Sequence, residues 1–302
     1  MAEITASMVK TLREQTGAGM MECKKALEEA GGDLKRAGTI LREKGVVKAV
    51  KRAGRVATEG LVKAAVSADK RTGALVELNI ETDFAARSER FVKLTDVVCN
   101  TAAAHCPDTA AALLALKPVG DEESGTVEAL VTNGAAVIGE KIAVRRYCCF
   151  SVPAGKAGLV RTYIHPPGKV GVMVELECEN NQVTQAQAVD EMARDLCLQI
   201  AFSAPIGIDR DSVPADLVDQ EREIYRKAAL NEGKPEKVVE KIVEGRLKSY
   251  YKERCLVEQS FVKDEAKTVG ALIAETAKAA GGKIRVARIV RFQLGEEVEG
   301  KE

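Results

Sequence analysis

The chain has 302 residues, in which 45 Lys and Arg balance 45 Asp and Glu, leaving a formal net charge of zero. That neutrality lacks the positive field of a dedicated nucleic-acid binder, and no apolar run approaches the roughly 18 residues that cross a bilayer. Charged residues at 30%, aromatics at 4% and no Trp point to a soluble, helix-rich chain, too long for one simple core.

The N-terminus, MAEITASMVK, carries no apolar signal core and enters helical periodicity directly, which places the protein in the cytoplasm. Three short helices are predicted first. Thr5 caps one with Met8, Val9 and Leu12 on a face, ended by Gly17-Ala18-Gly19. A second carries Met20, Met21, Cys23, Ala26 and Leu27 and stops at Gly31-Gly32. Asp33 caps a third, with Leu34, Ala37, Ile40 and Leu41 inward and an end near Gly45. This unit reads as a packing module with no room for an active site. A basic linker from Val46 to Gly60 follows, holding Lys48, Lys51, Arg52 and Arg55. Its charges are read as a solvated connection rather than a nucleic-acid contact.

An internal repeat comes next. Gly60-Leu61-Val62 recurs as Gly158-Leu159-Val160, Gly73 as Gly171, Val76-Glu77-Leu78 as Val174-Glu175-Leu176, and Glu81 as Glu179, all at one offset. Each copy reads as a strand, a turn, a second strand and a helix. Phe91, Leu94, Val97 and Val98 lie on the first helix, and Val189, Met192, Leu196 and Ile200 on the second. Strands over Leu61–Val66 and Ala74–Ile80 make a hairpin. Two helical runs then flank Asn231-Glu232-Gly233-Lys234-Pro235, with Val218, Ile224, Tyr225 and Ala228 facing Val238, Val239, Ile242 and Val243 across an antiparallel hairpin. A helix over Thr268–Ala279 and a strand over Ile284–Leu294 return the chain to the second sheet, and an acidic tail frays from Gly295. The fold class is therefore α+β: a three-helix domain with its basic linker (1–55), two related core subdomains with antiparallel sheets (56–152, then 153–210 with 256–302), and an inserted helical hairpin (211–255).

The chemistry expected of an enzyme is missing. GxxxxGK[ST], GxGxxG, GxSxG and HExxH do not occur, so no nucleotide, cofactor or metal is expected, and no catalytic residue is assigned. The eight Cys form no CxxC pair and the two His lie far apart, so the cysteines are read as buried thiols rather than metal ligands or disulfides. One feature departs from this plain pattern. The strand ending at Ile80 runs into Glu81-Thr82-Asp83-Phe84-Ala85-Ala86-Arg87 ahead of a helix. Phe84 either tucks beneath that helix, with Thr82 or Asp83 as cap, or serves as an exposed contact. The second copy has Asn180, Asn181 and Gln182 there, so the fold does not need an aromatic.

Two stretches resemble the elongation factor Ts family: Leu12 to Leu27 (LREQTGAGMMECKKAL) and Glu81 to Arg87 (ETDFAAR). Further matches are Ile138-Gly139-Glu140-Lys141-Ile142 leading to Arg145-Arg146, then Gly233-Lys234-Pro235, Val243-Glu244-Gly245-Arg246, Phe261-Val262-Lys263 and Lys267-Thr268-Val269-Gly270. They follow the family's order along nearly the whole chain. The resemblance implies that the three helices are ubiquitin-associated-like and the insertion a short coiled coil. It implies a guanine nucleotide exchange factor, bacterial in type, that binds elongation factor Tu and speeds GDP release without covalent chemistry. By position, Arg13, Met20 and Met21 would touch the partner's GTP-binding domain. Thr82, Asp83 and Phe84 would enter beside its magnesium and phosphates, with Ile138 and Gly139 in support. His165, Phe261 and Val262 would face the rest of the partner. No nucleic-acid or membrane contact is implied, and the hairpin or core could join a second copy. Two departures stand out. Ala85 replaces the usual Val, leaving the tip less buttressed, and Ser260 replaces a Pro, loosening that segment.

Overall fold

In the computed structural model, which describes residues 4–52, 54–121 and 124–297, end residues set the first helices. α1 (Ala6–Thr16) begins where the Thr5 hydroxyl accepts from the Met8 N–H, and it stops at Gly17, whose φ of 68° is the left-handed cap open to glycine. α2 (Met20–Glu29) and α3 (Leu34–Arg52) complete the unit, and the Asp33 carboxylate accepts from the Arg36 N–H at the start of α3. Leu12, Cys23, Leu27 and Ala37 form its core.

The expected stop near Gly45 does not occur. α3 runs on to Arg52, so the stretch read as linker is helical that far. Gly45 serves a close approach instead, since a Cβ there would lie 2.7 Å from the Cβ of Ala136. Arg52 donates to the Ala135 carbonyl at 3.4 Å, and Arg55 pairs with Glu81 at 3.2 Å. The side chains of Lys48 and Lys51 lie outside what is described.

β1 (Glu59–Val66) and β2 (Thr72–Ile80) form the expected hairpin, followed by α4 (Asp83–Ala86), α5 (Glu89–His105), α6 (Ala110–Ala115), α7 (Val127–Ile138) and β3 (Ile142–Ser151). The sheet order is β1-β2-β3. The second copy follows with β4 (Ala157–His165), β5 (Val170–Cys178), α8 (Asn181–Gln185) and α9 (Gln187–Ser203). After α10 (Ala215–Asn231) and α11 (Glu236–Arg254) come the short strands β6 (Ser260–Phe261) and β7 (Asp264–Thr268), then α12 (Val269–Ala280) and β8 (Ile284–Gln293). The order β4-β5-β8 makes α10 and α11 an insertion before the closing strand, as expected. By contacts, the chain separates into one compact unit drawn from residues up to Lys63, Ala74–Cys149 and from Gln293 onward, and another of Ala64–Gly73 and Phe150–Phe292.

The repeat reaches further than its sequence signal. Thr126 caps α7 through the Ala129 N–H as Thr268 caps α12 through the Ala271 N–H, each at 3.1 Å. These helices end on the left-handed glycines Gly139 and Gly281, and β3 and β8 begin after Lys141 and Lys283. The helical hairpin lengthens the second copy, so the offset changes before these elements and a single-offset comparison misses them. Gly60 and Gly158 recur for one steric reason: a Cβ would fall 2.0 Å from the Leu78 carbonyl oxygen and 2.3 Å from that of Leu176.

Buried carboxylates tie the third strands. Glu77, fully buried, accepts from Arg145 Nη1 at 3.0 Å, Arg146 Nε at 2.7 Å and the Gly295 N–H at 3.1 Å. Glu175 accepts from Arg288 Nε at 2.7 Å. The tail expected to fray from Gly295 is held as far as Glu296, whose carboxylate lies 2.8 Å from Arg146.

The hairpin packs on Ala229, Val239, Val243 and Leu247, flanked by Val218, Tyr225, Ile242 and Tyr251. Ile224 and Val238, expected across this seam, are exposed. The stripe through Val218, Tyr225 and Ala229 turns Ile224 outward, and the stripe through Val239 and Val243 does the same to Val238. The reading of every cysteine as a thiol also fails for one pair. Cys106, which caps α5, is disulfide-bonded to Cys149 in β3, 43 residues away. Nothing local in the sequence signals a pairing that two distant elements create. Cys23, Cys99, Cys178, Cys197 and Cys255 are buried thiols.

Candidate functional site

β2 is buried through Ile80, and the chain leaves the sheet at Glu81. The Thr82 hydroxyl accepts from the Ala85 N–H at 3.2 Å, which caps the single turn of α4. Capping at that position fixes which side of the turn faces in: Ala85 and Ala86 are buried, while Asp83 and Phe84 point away. Phe84 is 85% exposed, which settles the two alternatives against tucking. Burying a Phe side chain gains about 2 kcal/mol, so the isolated fold forgoes that stabilisation. Four of the other five Phe are buried. The remaining one, Phe202 at the end of α9, is 78% exposed.

Two carboxylates tie the base of this tip to the turn between α7 and β3. Glu140 receives both donors of Thr82, its Oε2 from the N–H at 2.9 Å and its Oε1 from the hydroxyl at 2.8 Å. Glu81 reaches the other way and accepts the Lys141 N–H at 2.6 Å. That N–H, helped by the Arg55 guanidinium and opposed by partial desolvation, holds the Glu81 carboxyl below the usual carboxylate range. Lys141 Nζ in turn donates to the Arg55 carbonyl at 2.8 Å. The hold on the tip therefore comes from hydrogen bonds at its base, whatever the small side chain of Ala85 withholds. Beyond the base, Arg87 donates to the Asp83 carboxylate at 2.9 Å in an exposed pair one turn apart.

The fold brings Thr82, Asp83 and Phe84 together with Ile138 and Gly139, which end α7 one residue before Glu140. It also sets the α1–α2 corner near the start of α5. A Cβ on Gly17 would overlap the Arg90 guanidinium, and Arg13, Met20 and Met21 on α1 and α2 flanking that corner are exposed. A cavity of about 750 Å³ opens where these helices face α7, lined in part by Gln15, Lys25, Arg52 and Asn133. The three-helix unit thus borders more open space than the sequence led one to expect.

In the other unit, His165 is exposed at the end of β4, with the Tyr163 hydroxyl 2.9 Å from its Nδ1. Phe261 is only 5% exposed and belongs to the core with Leu256 and Val269. Its implied place on the contact surface is corrected: alternation along β6 leaves Ser260 exposed and turns Phe261 inward, and Val262, in the turn that follows, is 40% exposed. The segment is not loose either, despite Ser260. Gln199 Oε1 accepts the Val262 N–H at 2.8 Å and its Nε2 donates to the Ser260 carbonyl at 3.2 Å.

The sequence reading passed over Glu140 and Glu81 as site residues. For Glu140 the available signal was a contrast between copies, since Gly139-Glu140-Lys141-Ile142 stands where Gly281-Gly282-Lys283-Ile284 stands in the other. Among the described residues, no group of three or more His, Cys, Asp or Glu is placed to hold a metal, and no helix is long and apolar enough to cross a membrane. Burial pushes the thiols of Cys99 and Cys197 up to about 12, which leaves them neutral and poorly nucleophilic at ordinary pH.

Comparison with known proteins bears on the whole chain. The family described as Elongation factor TS matches residues 81–296. Elongation factor Ts of Clostridium botulinum (strain Alaska E43 / Type E3) is 48% identical over 296 residues, covering 98% of this chain and 94% of the relative. That of Clostridium perfringens (strain SM101 / Type A) is 48% identical over 299 residues, or 99% and 95% of the two chains. That of Clostridium tetani (strain Massachusetts / E88) is 46% identical over 299 residues, or 99% and 96%. With an exposed aromatic tip held at its base and matches of this extent, the chain belongs to the elongation factor Ts family.

Proposed function

We propose that this chain is the guanine nucleotide exchange factor of elongation factor Tu and acts in the cytoplasm. It binds the GDP-bound GTPase, disturbs its magnesium and phosphate site, and lets GTP replace GDP. The observation that carries this reading is Phe84, 85% exposed at the end of a tip clamped to its own subdomain.

A GTPase holds its nucleotide chiefly through a phosphate-cradling loop and a magnesium ion. A rigid apolar side chain entering beside that site gains the burial it forgoes in the free protein, and this gain is available only when the partner's elements have moved. The Asp83 carboxylate, extended beside Phe84, can accept hydrogen bonds from groups displaced in that movement. Ile138 and Gly139 support the contact. Arg13, Met20 and Met21 bind the GTP-binding domain, and His165 and Val262 meet the rest of the partner. Because the factor favours the nucleotide-free state, linkage requires nucleotide to weaken factor binding by the same factor. Nothing in this scheme makes or breaks a covalent bond, so the activity is binding alone.

Release of labelled GDP from elongation factor Tu tests the proposal, and the chain should accelerate it strongly. Phe84→Ala should lower the maximal release rate by about 30-fold, the scale of losing one anchoring aromatic. Equal GDP release with and without the chain would refute the exchange function. An unimpaired Phe84→Ala variant would refute the wedge alone.

A further inference from the structure

The two copies share one plan at the end of their second strand and differ at a single clamp. In each, a glutamate accepts the backbone N–H of a lysine that precedes the closing strand: Glu81 from Lys141 at 2.6 Å, Glu179 from Lys283 at 2.9 Å. In each, the next residue caps a short helix, Thr82 through the Ala85 N–H at 3.2 Å and Asn180 through the Val183 N–H at 3.0 Å. The copies part at the residue before that lysine, which is Glu140 in the first and Gly282 in the second. A Cβ on Gly282 would sit 2.6 Å from Val183 Cγ2, so the second copy closes the space that the first gives to a carboxylate.

Glu140 uses that space to take both donors of Thr82. The consequence follows from the proton count of a hydroxyl. Thr82 has one O–H proton, and once Glu140 accepts it, the remaining lone pairs are left to cap the Ala85 N–H. The hydroxyl rotor, the start of α4 and the direction in which Asp83 and Phe84 leave the sheet then move as one unit. Bonds to an ionised carboxylate are the stronger kind. The second copy builds the same strands and helices without this clamp, so the fold does not require it. It occurs in the copy that carries Phe84 and is missing where Gln182 stands.

We infer that Glu140 is a positioning residue for nucleotide exchange, clamping Thr82 so that the tip meets the partner already oriented. This rests on reading the tip as the element that displaces nucleotide. The clamp reduces the ordering that would otherwise accompany docking, and its effect falls on the displaced state more than on initial association.

The test is GDP release from elongation factor Tu measured over a range of concentrations of the full chain, with thermal unfolding run in parallel. Glu140→Ala should lower the maximal release rate roughly five- to tenfold, with less than about a twofold change in the half-saturating concentration. Its unfolding midpoint should stay near that of the unaltered chain. Glu140→Gln should recover part of the rate, because an amide oxygen accepts one Thr82 donor while its NH₂ group cannot accept the other. Adding Thr82→Val to Glu140→Ala should cost less than the sum of the two single changes, since they share the bond from the Thr82 hydroxyl to Glu140. Unchanged release by Glu140→Ala overturns the inference while the wedge stands. Loss of exchange that tracks a fall in the unfolding midpoint for both Glu140 variants overturns it in favour of a purely structural role. Failure of the unaltered chain to speed GDP release overturns the wedge and the inference together.

Discussion

Glu77 and Glu175 occupy matching places in the two copies, each buried and each met by an Arg from the closing strand of its sheet. Residues 82–84 and 180–182 also match, yet one set ends in an 85% exposed Phe and the other in Gln. The first pair shows what the architecture itself demands, because both copies retain it. The second is a difference that the fold does not require, and under the proposed function it is what one copy carries for a partner. The disulfide falls on the same side of this divide. Cys106 matches Ala204, the two having nearly equal left-handed φ values of 44° and 45°, so the bond adds to one copy a restraint the other folds without. The clamp between Thr82 and Glu140 follows the same pattern.

The comparison can be broken most forcefully at the shared carboxylates. Glu77→Ala takes a fully buried carboxylate from two arginines, although Arg146 keeps Glu296, and loss of such charged hydrogen bonds destabilises by about 2–3 kcal/mol. Glu175→Ala, which takes it from Arg288 alone, should have the smaller effect. Denaturant titration checks the order, and a smaller effect at Glu77 would mean the two sheets are not closed in the same way.

Reduction of the Cys106–Cys149 bond comes next. Releasing a loop with a sequence separation of 43 destabilises by about 4 kcal/mol in the chain-entropy treatment. Hydrogen exchange with and without reductant should show the loss in α5 and β3 and leave α9 and β8 protected. Equal loss in both copies would contradict a restraint private to one.

The smallest expected effect is on acidification. The carboxyl of Glu81 is held below its usual range, chiefly by the Lys141 N–H. Its contribution is therefore complete above the unfolded-state value, about 4.3, and is lost as pH falls through the lower folded-state value. Amide exchange at Lys141 should quicken over that acid interval in the unaltered chain. Glu81→Gln should flatten the dependence, and a dependence that survived the substitution would assign it to another group.

Much of this could be read without coordinates. Thr5, Gly17 and Asp33 act locally, through a side chain and the next turn of backbone, so the caps of the first helices were legible. The strand–turn–strand–helix repeat was legible because alternation and helical spacing are short-range patterns. The same locality explains the errors. Gly45 looked like a helix stop because the neighbour that needs it, Ala136, is far along the chain. Phe261, which the resemblance alone placed on the contact face, is turned inward by the pairing of β6 with β7.

The sequence by itself determined the family, the α+β class, the doubled core and the tip at Thr82-Asp83-Phe84. Each depends on residue identity or on spacing within a few turns. The tertiary structure alone decided that Phe84 is exposed, that Cys106 meets Cys149, and that Glu140 takes both donors of Thr82. Those facts depend on segments separated by tens of residues being brought together when the sheet closes. No pattern within either segment encodes that meeting.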